Sequence, residues 1–194
     1  MTNNPKKSNS ILKDLRNLLI WVLISLIIRW QVIEPRWIPS GSMLPTLHIN
    51  DKILVEKLSF RLNLIGDPKN LRDKIIIFKA PEQLINNGYD PSTALIKRVI
   101  GIPKDKIEVK NGQLFVNDIP QKKYLTDNHI NYSIGPVIVP EQSLWVMGDN
   151  RNNSMDSHIW GFLPYEQVIG QAIIRYWPLE VFGPITFPKI EENA

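Results

Sequence analysis

The chain has 194 residues, 43% of them hydrophobic and 22% charged, with a formal net charge of +4. That balance supports one packed core and argues against wholesale disorder, and scattering 23 Lys and Arg among 19 Asp and Glu leaves no basic run of the kind that binds nucleic acid. Cysteine is absent, which removes disulfides, thiolate metal sites and a cysteine nucleophile together.

Residues 1–10 are polar and read as a disordered start, part of a tail over 1–14. Residues 15–33 are then mostly apolar, and 19 residues approach the roughly 20 that a helix needs to cross a bilayer. Arg29 lies near the end of this stretch, where a long cation can extend toward headgroups. A cleaved secretory signal would end in small residues, whereas this stretch ends in the bulky, charged "RWQVIEPRW", so an uncleaved transmembrane helix is expected. A buried helix of a soluble domain would need covering on every side. Lys6, Lys7, Lys13 and Arg16 put the N-terminus on the cytoplasmic side and residues 34–194 on the exported side of a cell membrane.

The exported part reads as β. Fifteen prolines and abundant Val and Ile favour short strands, expected in "DKILVEKLSF", "LRDKIIIFKA", "ALIKRVIGIP", "SLWVM" and "QVIGQAIIRYWPL". In "KIEVKNGQLFVND" two alternating segments flank Asn111-Gly112, a pair suited to a tight hairpin, with Ile107, Val109, Leu114 and Val116 on one side. "GDNRNNSMDSHIWG" is too polar for regular structure and carries too many directed groups to be filler. The tail after Pro188 is expected to be mobile.

Chemistry is narrowed by what is missing. The three histidines, His48, His129 and His158, sit in no recognisable base context. No metal-ligand spacing and no phosphate-binding glycine loop occur, so no metal and no cofactor are expected. A serine and a lysine remain. In "IPSGSMLPTL", Gly41 frees the backbone while Pro39 and Pro45 stiffen the flanks, giving an exposed turn that can aim Ser42 and backbone N–H groups; Ser40, two residues earlier, points the same way. Lys97 of "ALIKRVIG" shares a strand face with Leu95 and Val99, and Arg98 takes the other. A lysine among apolar neighbours loses ammonium solvation and can serve as a base for serine. Taken singly, "PSGSM" reads as a structural turn and Lys97 as a strand lysine with its head in water.

Together, in this order beside an apolar segment, "PSGSMLPTL", "DKILVEKLS", "KRVIGIP" and "GDNRNNSMDSHIWGFLP" resemble bacterial type I signal peptidase, a membrane-anchored serine endopeptidase. The resemblance implies a mainly β catalytic domain, a single antiparallel sheet of barrel-like form after one N-terminal transmembrane helix, and the chain's length suggests the minimal domain without large additions. It implies Ser42 as nucleophile and Lys97 as general base. It also implies Ser40 with the Ser42 N–H as oxyanion hole, Ser154 as a hydrogen-bonding partner of the lysine, and Asp149, Asp156 and Arg98 as bracing residues. Partners would be signal peptides of exported preproteins with small residues at the first and third positions before the cut, the lipid bilayer and the export machinery, with no nucleic acid. Two positions depart from the common pattern "GDNRDNS…DSRYWG": Asn152 stands for Asp and His158 for Arg, which makes any pairing of Asp156 with residue 158 pH-dependent. A self-cleaving Ser-Lys peptidase and a membrane-tethered binding domain without catalysis are the alternatives.

Overall fold

A computed structural model of the chain describes residues 5–62, 66–121 and 129–186. It begins with a long helix, α1 (Pro5–Gln31). The polar start expected to be disordered is thus helical from Pro5, a residue whose fixed φ suits a first helical position; the expectation for 1–4 lies outside the described residues, as does that for the tail after Pro188. Every side chain from Leu12 to Arg29 is exposed on α1.

The expected transmembrane helix over 15–33 is not met in that form. Among the described residues no helix is long and apolar enough to cross a membrane. Lys13 and Asp14 just precede the stretch and Arg16 and Arg29 interrupt it, leaving an apolar run over 18–28 that measures about 16 Å at 1.5 Å per residue, against a hydrocarbon core of about 30 Å.

The rest is mainly antiparallel β, arranged as two open sheets instead of one barrel-like sheet. The larger has the order β1 (Ile33–Trp37), β2 (Lys52–Glu56), β11 (Val168–Trp177), β3 (Ile75–Lys79), β4 (Ala94–Gly101), β9 (Ser143–Met147) and β10 (Leu163–Pro164), with β12 (Gly183–Pro184) also paired to β11. The smaller runs β7 (Ile119–Pro120), β6 (Gln113–Val116), β5 (Lys106–Lys110) and β8 (Ile134–Ile138). Neither order returns to its starting strand, so both sheets keep free edges.

The hairpin is as expected. Asn111 and Gly112 take φ of 51° and 74°, the two left-handed positions of a tight turn, and Ile107, Val109, Leu114 and Val116 are buried on one face. They pack with Ile100, Trp145 and Met147, which joins the small sheet to β4 and β9.

Strand β3 explains its unbroken "IIIF" run. Ile76 and Phe78 enter one core with Val99 and Leu144, whereas Ile75 and Ile77 enter another with Ile38, Met43 and Ile53. A strand buried on both faces needs apolar residues at every position. Burying Phe78 alone contributes about 2–3 kcal/mol. These two cores flank the strand that carries Lys97.

Candidate active site

The turn after β1 is pinned by its own apolar residue. Ser40 is extended (φ −139°, ψ 160°) and leads into a single 3-10 turn, Gly41–Met43, whose Met43 is completely buried beside Ile38 and Leu47. With Met43 anchored inward, Ser42 is left half-buried at the surface.

The polar loop after β9 holds this turn from behind. Asn150 N–H donates to the Ser42 carbonyl at 3.0 Å and its Nδ2 to the Gly41 carbonyl at 3.1 Å. Gly148 is required for the fit, because a Cβ there would lie 2.5 Å from the Ser42 carbonyl oxygen and 2.2 Å from Ser154 Oγ. Sequence reasoning missed Asn150 and Gly148; the only signal was their place in the "GDN" segment.

Lys97 reaches the turn from β4. It is 3% exposed, and its Nζ donates to Ser42 Oγ at 3.0 Å and to the Ile96 carbonyl at 3.0 Å. Burial pushes its amine down to about 8, with Asp156 and Asp149 pulling the other way. At neutral pH about one molecule in ten therefore carries the free amine. Ser40 Oγ lies 3.4 Å from Ser42 Oγ, on the solvent side.

Arg98, on the opposite face of β4, makes a two-pronged ion pair with Asp149: Nε to Oδ1 at 2.7 Å and Nη2 to Oδ2 at 2.6 Å. Thr46 Oγ1 also donates to Asp149 Oδ2, at 2.5 Å, and Arg98 Nη1 to the Asp73 carbonyl at 2.7 Å. Both charges are nearly dry, a situation that is stable only while each ion keeps its partners. Thr46 carried no sequence signal.

Asp156, wholly buried, accepts from Gly148 N–H at 2.8 Å and caps the short helix α2 (Ser157–Trp160), the one piece of regular structure in a loop expected to have none. Ser154 is beside Gly148, but its Oγ is buried without a hydrogen-bond partner among the described residues. The bond to Lys97 that the resemblance implied is therefore not made; the Nζ donates instead to Ser42 and the Ile96 carbonyl.

A shallow cavity of about 150 Å³ opens beside the turn, lined by Ile38, Pro39, Ile53, Ile77, Ala94 and Ile96 among others. Its walls are largely aliphatic. The arrangement as a whole can take a proton from a serine hydroxyl in a nearly dry pocket next to an apolar slot.

The family model "Signal peptidase, peptidase S26" matches residues 11–177, and the chain belongs to that family, whose members are peptidases. It is 39% identical over 186 residues to signal peptidase I of Leptolyngbya laminosa, covering 96% of this chain and 89% of that one. A probable signal peptidase I-1 of Synechocystis sp. is 42% identical over 188 residues, covering 95% and 93%. A probable chloroplastic thylakoidal processing peptidase 2 of Arabidopsis thaliana is 43% identical over 159 residues, covering 81% of this chain and 41% of that protein.

Proposed function

We propose that the chain is a Ser/Lys endopeptidase that removes signal peptides from exported preproteins by cutting after small residues. The observation that carries this reading is the 3.0 Å contact between Ser42 Oγ and an almost fully buried Lys97 Nζ. A lysine in water is the wrong base at neutral pH, whereas one lowered to about 8 is close to the operating range.

The neutral Lys97 amine takes the Ser42 Oγ proton as Oγ attacks the scissile carbonyl. Ser40 Oγ–H and the Ser42 backbone N–H stabilise the oxyanion. The Lys97 ammonium then gives its proton to the departing amine of the mature chain, the C–N bond breaks, and the signal peptide remains esterified to Ser42. Lys97 next takes a proton from water, the resulting hydroxide attacks the ester, and the proton returns to Ser42 Oγ. The aliphatic slot along Pro39 and Ile96 supports binding of an apolar substrate side chain next to Ser42.

In the same reading α1 attaches the enzyme to a membrane with its N-terminus cytoplasmic. What supports it is the exposed apolar surface over 18–28 together with the basic residues Lys13 and Arg16 that precede it.

The test is mass spectrometry of a preprotein incubated with the full chain in detergent micelles. The wild type yields one cut after a small residue, and Ser42→Ala and Lys97→Ala each yield none. Cleavage by either variant at the wild-type rate defeats the mechanism.

A further inference from the structure

Asn152 and His158 meet on one segment, residues 129–132. Asn152 Oδ1 accepts from Asn131 N–H at 2.9 Å and its Nδ2 donates to the His129 carbonyl at 2.8 Å. An aspartate there could accept but not donate, so the amide alone closes both bonds. The segment so held presents Tyr132, whose ring stacks on His158 at 4.1 Å between centroids with the planes 6° apart. The imidazole is thereby fixed between an aromatic face and the carboxylate of Asp156, with Nδ1 at 2.7 Å from Oδ1.

That carboxylate has two ends with different duties. Oδ1 faces His158, taking its backbone N–H at 3.2 Å as well as its ring. Oδ2 holds the Gly148 N–H at 2.8 Å, and Gly148 is the residue whose bare α-carbon lets the loop close on Ser42 and Ser154. Asp156 also supplies the larger of the two carboxylate fields that favour the Lys97 ammonium.

We propose that His158 is a positioning residue of this peptidase: clamped by Tyr132 and Asn152, it fixes Asp156 against Gly148 and sets how much carboxylate charge the Lys97 amine faces. The proposal rests on the Ser42–Lys97 reading above. The titratable and charged groups around the ring are Asp156 on its own helix and Tyr132 on the packed segment, with the buried Arg151 guanidinium acting on both.

A permanent cation at residue 158 neutralises Asp156, stabilises the Lys97 ammonium less and lowers the pH at which activity appears. A neutral donor at the Nδ1 position keeps a bond to Oδ1 without cancelling its charge, so that pH lies above the one a permanent cation sets. Loss of the donor leaves Asp156 Oδ1 with one long backbone bond, sharpens its charge and raises that pH.

The experiment measures kcat/KM from pH 6 to 10 on a fluorogenic Ala-X-Ala peptide, using the full chain in micelles, for wild type, His158→Arg, His158→Asn and His158→Ala. Thermal melts accompany each variant. Midpoints ordered Arg, then wild type with Asn, then Ala, spread over on the order of one pH unit, are the expected result, and kcat falls roughly tenfold only in Ala. If Ala does not fold, the Arg-to-wild-type difference of about half a unit decides alone. A common midpoint in all folded variants overturns the role of His158. A wild-type profile with no limb near pH 8, or an active Lys97→Ala, defeats the Ser/Lys reading instead, so the two failures are separable.

Discussion

Lys97 should be a burden on stability, and Lys97→Met measures how large a burden. The drop from 10.5 to about 8 means that the folded state disfavours the lysine proton, by roughly 3 kcal/mol at about 1.4 kcal/mol per pH unit. The unfolded chain holds that proton below 10.5 and the folded chain only below about 8. Between those values the unfolded state binds more protons, so wild-type stability rises with pH across that window and is at its floor below it. Methionine has nearly the same length and volume and no proton to lose. It forfeits the bonds to Ser42 and the Ile96 carbonyl, about 1 kcal/mol each. At pH 7 Lys97→Met should therefore be more stable by about 1–2 kcal/mol, and by pH 10 the advantage should vanish or reverse as the wild type regains roughly 2–3 kcal/mol. Urea unfolding followed by tryptophan fluorescence, with both proteins in the same micelles at the two pH values, reads the difference, because every other titrating group is common to the pair. A gap between wild type and variant that stays constant within about 1 kcal/mol from pH 7 to 10 refutes the buried-amine account.

Activity should rise with pH through about 8 and level off above it, since the working form is the unprotonated amine; initial rates on an Ala-X-Ala peptide show this directly. Gly148→Ala places a Cβ 2.5 Å from the Ser42 carbonyl oxygen, so the loop must back away; kcat should drop about 100-fold while the melting temperature falls by a few degrees. Arg98→Leu strands the dry Asp149 carboxylate and should cost about 3–5 kcal/mol in urea unfolding, with Arg98→Leu/Asp149→Leu recovering most of it.

Much of this protein is legible along the chain because its signals are local. Asn111-Gly112 carries its hairpin in two residues, and alternation over 106–116 says which side is buried. The same is true of Ser42, whose turn is built from Pro39, Gly41 and Pro45. What the sequence conceals is contact between distant segments. Thr46 meets Asp149 across 103 positions and Asn150 meets Gly41 across 109, and neither pairing leaves a mark on periodicity. The barrel-like expectation failed for a similar reason, since whether β1 and β10 join depends on twist and edge geometry that no strand encodes alone. For α1 the apolar stretch was plain, but its charges at residues 13, 14, 16 and 29 decide how much of it can be buried in lipid.

The placement of charge around Lys97 follows from a conflict the fold has to resolve. A base must be dry enough to lose its proton near neutrality, yet a dry ammonium with no counter-charge would destabilise the protein in the larger share of molecules that carry the proton. Two carboxylates at a distance reconcile these demands: Asp149 and Asp156 favour the ammonium without bonding to it, and each is already committed elsewhere, Asp149 to Arg98 and Thr46, Asp156 to Gly148 and His158. Because neither carboxylate bonds the amine directly, burial remains the larger influence and the amine ends near 8. Any substitution that frees either carboxylate should therefore raise the pH at which the enzyme works, even one that never touches Ser42 or Lys97.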